Sequence, residues 1–277
     1  MSYLTTGNSY VDVGGKRIAY RELAAGRSAL PLVMLVRLAA NMDNWDPALI
    51  DALAQSRHLV LLDLPGVGGS QGSVEPALEE SARHAIEILR ALGHERFDLL
   101  GLSMGGMIAQ EIVRARPQAV RRLILVGTAP RGGMGVDRVT SVTFRHMFHA
   151  VARRKDMKRY IFFTDDATGE AAANATFARL NSKASSNQDA PVTVPAFLAQ
   201  LGAIKRWGKA AEDDLSFVRV PTLIANGDND AMVPTPNSNA MHEKIVGSRL
   251  VLYPHAGHGS LFQYPNEFAG EVNEFLG

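Results

Sequence analysis

The chain has 277 residues, of which 46% are hydrophobic, and its 29 Lys and Arg residues nearly balance its 28 Asp and Glu residues. A net charge of +1 gives no general attraction to phosphate backbones or anionic lipids, so we expect neither nucleic acid nor a membrane as a partner. The absence of cysteine excludes disulfides, thiolate metal sites and a cysteine nucleophile. The N-terminal residues are polar and no apolar run reaches the roughly 18 residues that span a bilayer, so we expect a cytoplasmic protein.

The N-terminal segment predicts an antiparallel hairpin at the edge of a sheet. Apolar and polar residues alternate over 10–13 and 17–21, on either side of Gly14 and Gly15. Short, nearly continuous apolar runs follow, which are typical of strands buried on both faces. These runs span 30–36, 58–62, 97–100, 123–126, 220–225 and 250–253.

Helical patterns alternate with these strands. Apolar residues at helical spacing predict one helix that ends at Gly93 and a second over 104–116 that is closed by Pro117. Further helices are predicted over 240–246 and 265–275. The alternation of strands and helices indicates a mostly parallel sheet with helices on both faces.

The alternation breaks between residues 131 and 217, where we find helical patterns but no strand pattern. We therefore predict a helical cap over 131–217, inserted into a core that consists of 1–130 and 218–277. The Ser/Asn-rich stretch 182–187 predicts a loop within this cap.

The sequence Gly101-Leu-Ser103-Met104-Gly105 lies between a predicted strand and a predicted helix. A serine in this position lies on a tight turn with its hydroxyl exposed, and the glycines let the strand and the helix approach each other. The amide of Met104, at the start of the helix, can donate a hydrogen bond to a developing oxyanion. This pattern predicts that Ser103 is a nucleophile.

A serine nucleophile needs a base, and the base needs an acid that orients it. Two segments that follow later strands offer these groups, since Asp228 and Asp230 come after one strand, and His255 and His258 come after the next. The carboxyl ends of parallel strands meet at one edge of the sheet, where such folds place their sites.

With these motifs the chain resembles the α/β-hydrolase-fold enzymes of the esterase, lipase and cofactor-free haloperoxidase kind. The resemblance runs from about residue 10 to residue 275. It includes the segment 63–70, the Asp-x-x-x-Pro segment 230–234 and the Gly-His-Gly segment 257–259. It implies an eight-stranded, mostly parallel sheet with an inserted cap, Asp230 as the acid, His258 as the base, and no cofactor.

The chain departs from these enzymes after the third strand, where they usually carry His-Gly. Val36 and Arg37 stand in those positions, and the resemblance assigns the second oxyanion amide to Leu38. Because the amide makes the hydrogen bond, Leu38 can donate if the backbone keeps its course. We expect Arg37 to be a structural cation that ties down this loop. The alternative is that it contacts an anionic substrate.

Three side chains of the predicted cap, Phe144, Met147 and Phe148, are candidates for lining an apolar substrate pocket, although their spacing serves helix packing equally well. We expect no metal, because no His, Asp or Glu cluster has the spacing of metal ligands along the chain.

The predicted function is hydrolysis of a carboxylic ester, thioester or lactone of a small apolar molecule through an acyl-enzyme on Ser103. The alternatives within enzymes use the same triad and are a haloperoxidase-like perhydrolase, a carbon-carbon bond hydrolase and a hydroxynitrile lyase. The alternative from another class is a non-catalytic ligand receptor that has kept the fold. The oligomeric state and the natural substrate do not follow from the sequence.

Overall fold

The computed structural model of the chain describes residues 2–182 and 188–277. Within these residues an eight-stranded sheet has the order β1-β2-β4-β3-β5-β6-β7-β8. Its strands are β1 (Ser9–Val13), β2 (Lys16–Leu23), β3 (Leu32–Leu35), β4 (Leu59–Leu62), β5 (Phe97–Leu102), β6 (Val120–Val126), β7 (Thr222–Gly227) and β8 (Arg249–Tyr253). Strand β2 is antiparallel to β1 and β4, and all other neighbours are parallel. The predicted mostly parallel sheet is confirmed.

Strands β1 and β2 form the predicted hairpin at the sheet edge. Val13 pairs with Lys16 across a turn in which Gly14 and Gly15 have φ angles of 59° and 75°. Two consecutive positive φ angles give the turn whose twist suits a hairpin, and glycine adopts them without a steric penalty.

The helices among the described residues are α1 (Pro47–Ala54), α2 (Leu78–Ala91), α3 (Met104–Ala115), α4 (Val139–Arg153), α5 (Met157–Phe162), α6 (Ala167–Leu180), α7 (Val194–Lys209), α8 (Pro236–Lys244), α9 (Ser260–Gln263) and α10 (Pro265–Leu276). Helices α2, α3, α8 and α10 overlap individually predicted helices, and α4 and α7 account for the helical patterns of 131–217, whereas α1, α5, α6 and α9 were not predicted. No helix in this part of the chain has both the length and the apolar character that crossing a membrane requires.

Hydrophobic side chains are buried on both faces of the sheet. In β4, Val60 and Leu62 join one buried cluster, whereas Leu59 and Leu61 join the other. The first cluster includes side chains of α2 and α3, and the second includes side chains of α1 and α10. Because alternate residues of a strand point to opposite faces, burial of both faces requires the continuous apolar runs seen in the sequence.

The segment between β6 and β7 contains α4, α5, α6 and α7, and the described residues of 131–217 include no strand. Hydrogen bonds and an ion pair connect its helices to the rest of the fold. The amide of Gly259 donates to the Phe162 carbonyl at the end of α5 at 2.8 Å, and Arg179 of α6 pairs with the buried Asp46 at 2.7 Å. The division of the chain into core and cap stays a prediction. Residues 183–187 of the predicted loop lie outside the described residues.

Candidate active site

Ser103 lies in the tight turn between β5 and α3. Its φ of 56° and ψ of −116° form a conformation that residues other than glycine rarely adopt. The Ser103 amide donates to the Val126 carbonyl at 2.8 Å, and the Ser103 carbonyl accepts from the Thr128 hydroxyl at 2.8 Å. These hydrogen bonds to β6 and to the loop that follows it hold the strained turn in place.

The glycines around Ser103 are required by the close contact of α3 with neighbouring strands. A Cβ at Gly105 would overlap the Leu35 carbonyl of β3, and one at Gly106 would lie 2.6 Å from a Thr128 methyl group. A Cβ at Gly101 would overlap the Gly105 carbonyl. Side chains at these positions would therefore push α3 away from the sheet and displace Ser103.

The imidazole of His258 bridges Ser103 and Asp230. Nε2 lies 3.0 Å from the Ser103 Oγ, and Nδ1 lies 2.7 Å from the Asp230 Oδ2. All three side chains are buried. The other oxygen of Asp230 accepts from the amides of Met232 and Val233 at 2.8 and 2.9 Å, which fixes the carboxylate. Because the carboxylate accepts, Nδ1 carries the proton and the neutral imidazole has Nε2 free to accept from the serine hydroxyl.

The second aspartate of this loop, Asp228, is directed elsewhere. Its exposed carboxylate accepts from the amides of His255 and Ala256 at 3.0 and 3.2 Å. Asp228 thus connects the loop after β7 to the loop that carries His258. The exposed His255 has a φ of 51° and lies in this connection, not beside Ser103.

Two backbone amides near Ser103 are free to bind an oxyanion. Those of Leu38 and Met104 have no hydrogen-bond partner among residues 2–182 and 188–277. The loop after β3 is held although it lacks the expected glycine. Ala39 takes a positive φ of 55° and its amide donates to the Gln200 side chain at 2.9 Å, while Arg37 Nη1 donates to the Leu38 carbonyl at 2.9 Å.

A pocket of about 660 Å³, which includes space open to solvent, is lined by Ser103 and His258. Its walls are mostly apolar, and helices from both parts of the chain contribute to them, with Met107 from α3, Val139 from α4 and Ile204 from α7. This volume lies within the usual range of small-molecule sites.

Phe144, Met147 and Phe148 do not line this pocket, which corrects the sequence analysis. They are 42%, 39% and 77% exposed. Helix α4 instead directs Val139 and Thr143 into the pocket, and residues four apart lie on one face of a helix. Phe144 and Phe148 are displaced around the helix from that face, whereas Met147 lies one turn further along it, beyond the residues that line the pocket.

Arg37 is buried and lines the pocket together with Ser103. Its bond to Leu38 agrees with the expected loop anchor, but no described acidic residue lies within ion-pair distance of its guanidinium. The guanidinium carbon lies 4.5 Å from the centre of the Phe162 ring, and this ring stacks on the His258 imidazole at a centroid distance of 6.1 Å.

One group of potential metal donors among the described residues was not predicted from the sequence. The side chains of Glu22, His58 and His94 place donor atoms within 4.8 Å of one another. They belong to β2, to the residue before β4 and to the loop after α2, so the fold brings together residues that are distant in sequence. The Nε2 of His58 lies 2.5 Å from a Glu22 oxygen, which gives both side chains a partner.

A family model described as alpha/beta hydrolase fold matches residues 31–265, a span that includes Ser103, Asp230 and His258. The chain belongs to this family. An alpha/beta hydrolase fold protein from Chitinophaga pinensis superposes with a TM-score of 0.93 at 32% identity, over 100% of this chain and 99% of that chain.

Two hydrolases of known name are similar in sequence. A pimeloyl-[acyl-carrier protein] methyl ester esterase from Nitrosomonas europaea is 27% identical over 240 residues, 86% of this chain and 92% of its own length. A 2-hydroxy-6-oxononadienedioate/2-hydroxy-6-oxononatrienedioate hydrolase from Klebsiella pneumoniae is 28% identical over 284 residues, 96% of this chain and 93% of its own length. The similar proteins thus include an esterase and a hydrolase with a different substrate.

Proposed function

We propose that the protein is a serine hydrolase that cleaves a carboxylic ester, thioester or lactone of a small, mostly apolar substrate. The observation that carries this proposal is the continuous hydrogen-bonded chain from Asp230 through His258 to Ser103 beside an apolar pocket. The similarity to a methyl ester esterase supports the choice of the ester bond.

In the proposed reaction the Ser103 Oγ attacks the substrate carbonyl carbon while His258 Nε2 takes the hydroxyl proton. Asp230 holds the imidazole in the required tautomer and stabilises the imidazolium that forms. The amides of Leu38 and Met104 bind the oxyanion of the tetrahedral intermediate. The carbon-oxygen bond of the ester then breaks, and His258 returns the proton to the leaving alcohol.

The second half of the reaction repeats these steps with water. His258 removes a proton from the water, whose oxygen attacks the acyl-enzyme carbonyl. The collapse of this second tetrahedral intermediate releases the acid and returns the proton to Ser103. The same groups therefore serve both halves, and no further acid or base is required.

The second candidate is cleavage of a carbon-carbon bond on the same triad, and the similarity to the Klebsiella pneumoniae hydrolase favours it. A perhydrolase and a hydroxynitrile lyase would also use Ser103, His258 and Asp230. A ligand receptor on this fold would bind its ligand without turnover.

The test is stopped-flow hydrolysis of p-nitrophenyl butyrate. We expect a burst of nitrophenol that matches the enzyme concentration, followed by steady turnover. Ser103→Ala should lower kcat by about 10⁴-fold or more. Ser141→Ala, which removes an exposed hydroxyl of α4, is the matched control and should keep wild-type rates. Wild-type turnover by Ser103→Ala would refute the proposal.

A further inference from the structure

The pocket beside Ser103 is lined by basic side chains, of which one has no described acidic partner. Among the described residues that line it, Arg37 and Lys158 are basic and none is acidic. Asp156 pairs with the Lys158 ammonium at 3.9 Å and also caps α5 by accepting from the Lys158 amide at 2.8 Å. It attracts Arg37 electrostatically, but from beyond ion-pair distance. Arg37 therefore has no ion-pair partner in the described part of the chain.

The described contacts of Arg37 are with a carbonyl and an aromatic ring, not with an acidic side chain. The side chain is 9% exposed, and its Nε is buried without a hydrogen-bond partner in residues 2–182 and 188–277. Burial lowers the pKa of Arg37 to about 10, so the guanidinium is still charged at neutral pH. A buried charge without a partner is unfavourable, and an anion that enters the pocket removes this penalty.

A second polar side chain of the pocket lacks a partner. Thr143 on α4 is 2% exposed, and its hydroxyl forms no hydrogen bond within the described part of the chain. Arg37 lies on the loop after β3, so two separate elements each contribute to one pocket a residue with an unpartnered donor atom. Buried polar groups normally have hydrogen-bond partners. Two unpartnered donors among the residues of one pocket therefore indicate that a ligand supplies the missing partners.

We propose that Arg37 and Thr143 form a subsite for a carboxylate, and that the preferred substrate is an ester, thioester or lactone that bears a free carboxylate remote from the reacting carbonyl. This inference rests on the proposed function. A carboxylate is planar and singly charged, so one guanidinium balances its charge and a hydroxyl can donate to its oxygens. Phe162 contacts both Arg37 and His258, which places the subsite one side chain away from the imidazole.

The test compares two esters of equal length, mono-p-nitrophenyl glutarate and p-nitrophenyl pentanoate, which differ by a carboxylate in place of a methyl group. We expect the wild-type KM to be lower for the glutarate. Arg37→Met should raise the KM for the glutarate relative to that for the pentanoate by roughly tenfold or more, and Thr143→Val by a smaller factor.

The matched control is Arg145→Met, because Arg145 is an exposed residue of α4 that does not line the pocket. It removes the same charge and should leave the ratio of the two KM values unchanged. Equal changes for both esters in Arg37→Met would overturn the subsite. Equal KM values of the wild-type enzyme for the two esters would also overturn the subsite. Because both esters would still be hydrolysed, that result would leave the proposed function intact.

A binding measurement separates the two proposals if neither ester is hydrolysed. Ser103→Ala is titrated calorimetrically with monomethyl glutarate and with methyl pentanoate, alone and combined with Arg37→Met. Tighter binding of monomethyl glutarate that Arg37→Met abolishes would support the subsite, although the proposed function had failed. Equal affinities of Ser103→Ala for the two esters would overturn the subsite.

Discussion

The two aspartates of the loop after β7 have different surroundings. Asp230 is buried and accepts from His258 and from two backbone amides. Asp228 is exposed, and within the described part of the chain it accepts only from backbone amides of the loop after β8. One carboxylate can therefore control the imidazole, while the other connects two loops.

We predict that Asp230→Asn lowers kcat by a factor on the order of 10⁴, as in serine proteases that lose the triad carboxylate. The asparagine Oδ1 can still accept from Met232 and Val233, so its amide nitrogen faces His258 Nδ1 and forces the wrong tautomer. Asp228→Asn keeps an acceptor for the loop and should cost far less. The kcat for p-nitrophenyl butyrate measures both, and the reverse ranking would assign the acid role to Asp228.

The surroundings of Asp63, directly after β4, make the free energy of unfolding depend on pH. Its Oδ1 accepts from the Met42 amide at 2.8 Å, but Oδ2 is buried without a partner among the described residues. Burial raises the pKa of Asp63 well above its ordinary value, and the negative charge of Asp189 adds to this effect. The folded protein therefore binds a proton that the unfolded chain releases.

The stabilisation from this proton is complete below the ordinary aspartate pKa of about 4 and is lost as the pH rises to the folded-state pKa. Asp63→Asn is neutral at every pH. The free energy of unfolding of Asp63→Asn should therefore rise relative to that of the wild type as the pH increases from about 4 to 8. Urea titrations across this range measure the difference, and a constant difference would disprove the assignment.

Some residue positions follow from the sequence because short-range geometry determines them. The glycines around Ser103 predict the turn, since only they allow the contact with β3. The side of α4 that carries Phe144 and Phe148 did not follow, because these side chains satisfy an amphipathic pattern whichever way the helix is docked. The burial of Arg37 did not follow either, because it depends on contacts with residues distant in sequence, such as Phe162.

At the scale of elements, the contact of α3 with the sheet explains why the site needs its glycines. We predict that Gly105→Ala destabilises the fold by about 1 to 3 kcal/mol and impairs ester hydrolysis, because its methyl group would overlap the Leu35 carbonyl. Thermal unfolding followed by circular dichroism measures the change in stability.

The control for this variant is Gly270→Ala in α10, where a Cβ would meet no atom within 4 Å. Alanine has the higher helix propensity, so this variant should be more stable than the wild type by about 0.5 to 1 kcal/mol. Equal stability of the two variants would show that the contact between α3 and β3 is looser than described.

The strands of the core were predictable because burial on both faces leaves continuous apolar runs. Helices α1, α5, α6 and α9 were not. Helices α5 and α9 are short, at 6 and 4 residues, and too few turns are present to establish a periodicity. In α6 alanine occupies many positions, so the apolar face is not distinct. Contacts with the core, such as that between Arg179 and Asp46, position α6 instead.

At the scale of the whole molecule, parallel strand order assembles the site. Strands β3, β5, β7 and β8 end at the same edge of the sheet, and the loops after them carry Leu38, Ser103, Asp230 and His258. The sequence indicated this convergence because each motif follows an apolar run. The lining of the pocket beside Ser103 could not be predicted, because the packing of the helices between β6 and β7 depends on contacts between residues far apart in the chain.

The central claim is that Ser103 is the nucleophile of this hydrolase, and covalent labelling tests it most directly. The native protein is treated with a fluorophosphonate probe, digested and mapped by mass spectrometry. We predict one phosphonylated site, Ser103, and no labelling of the Ser103→Ala variant. Modification of another serine, or labelling that persists in Ser103→Ala, would contradict the account.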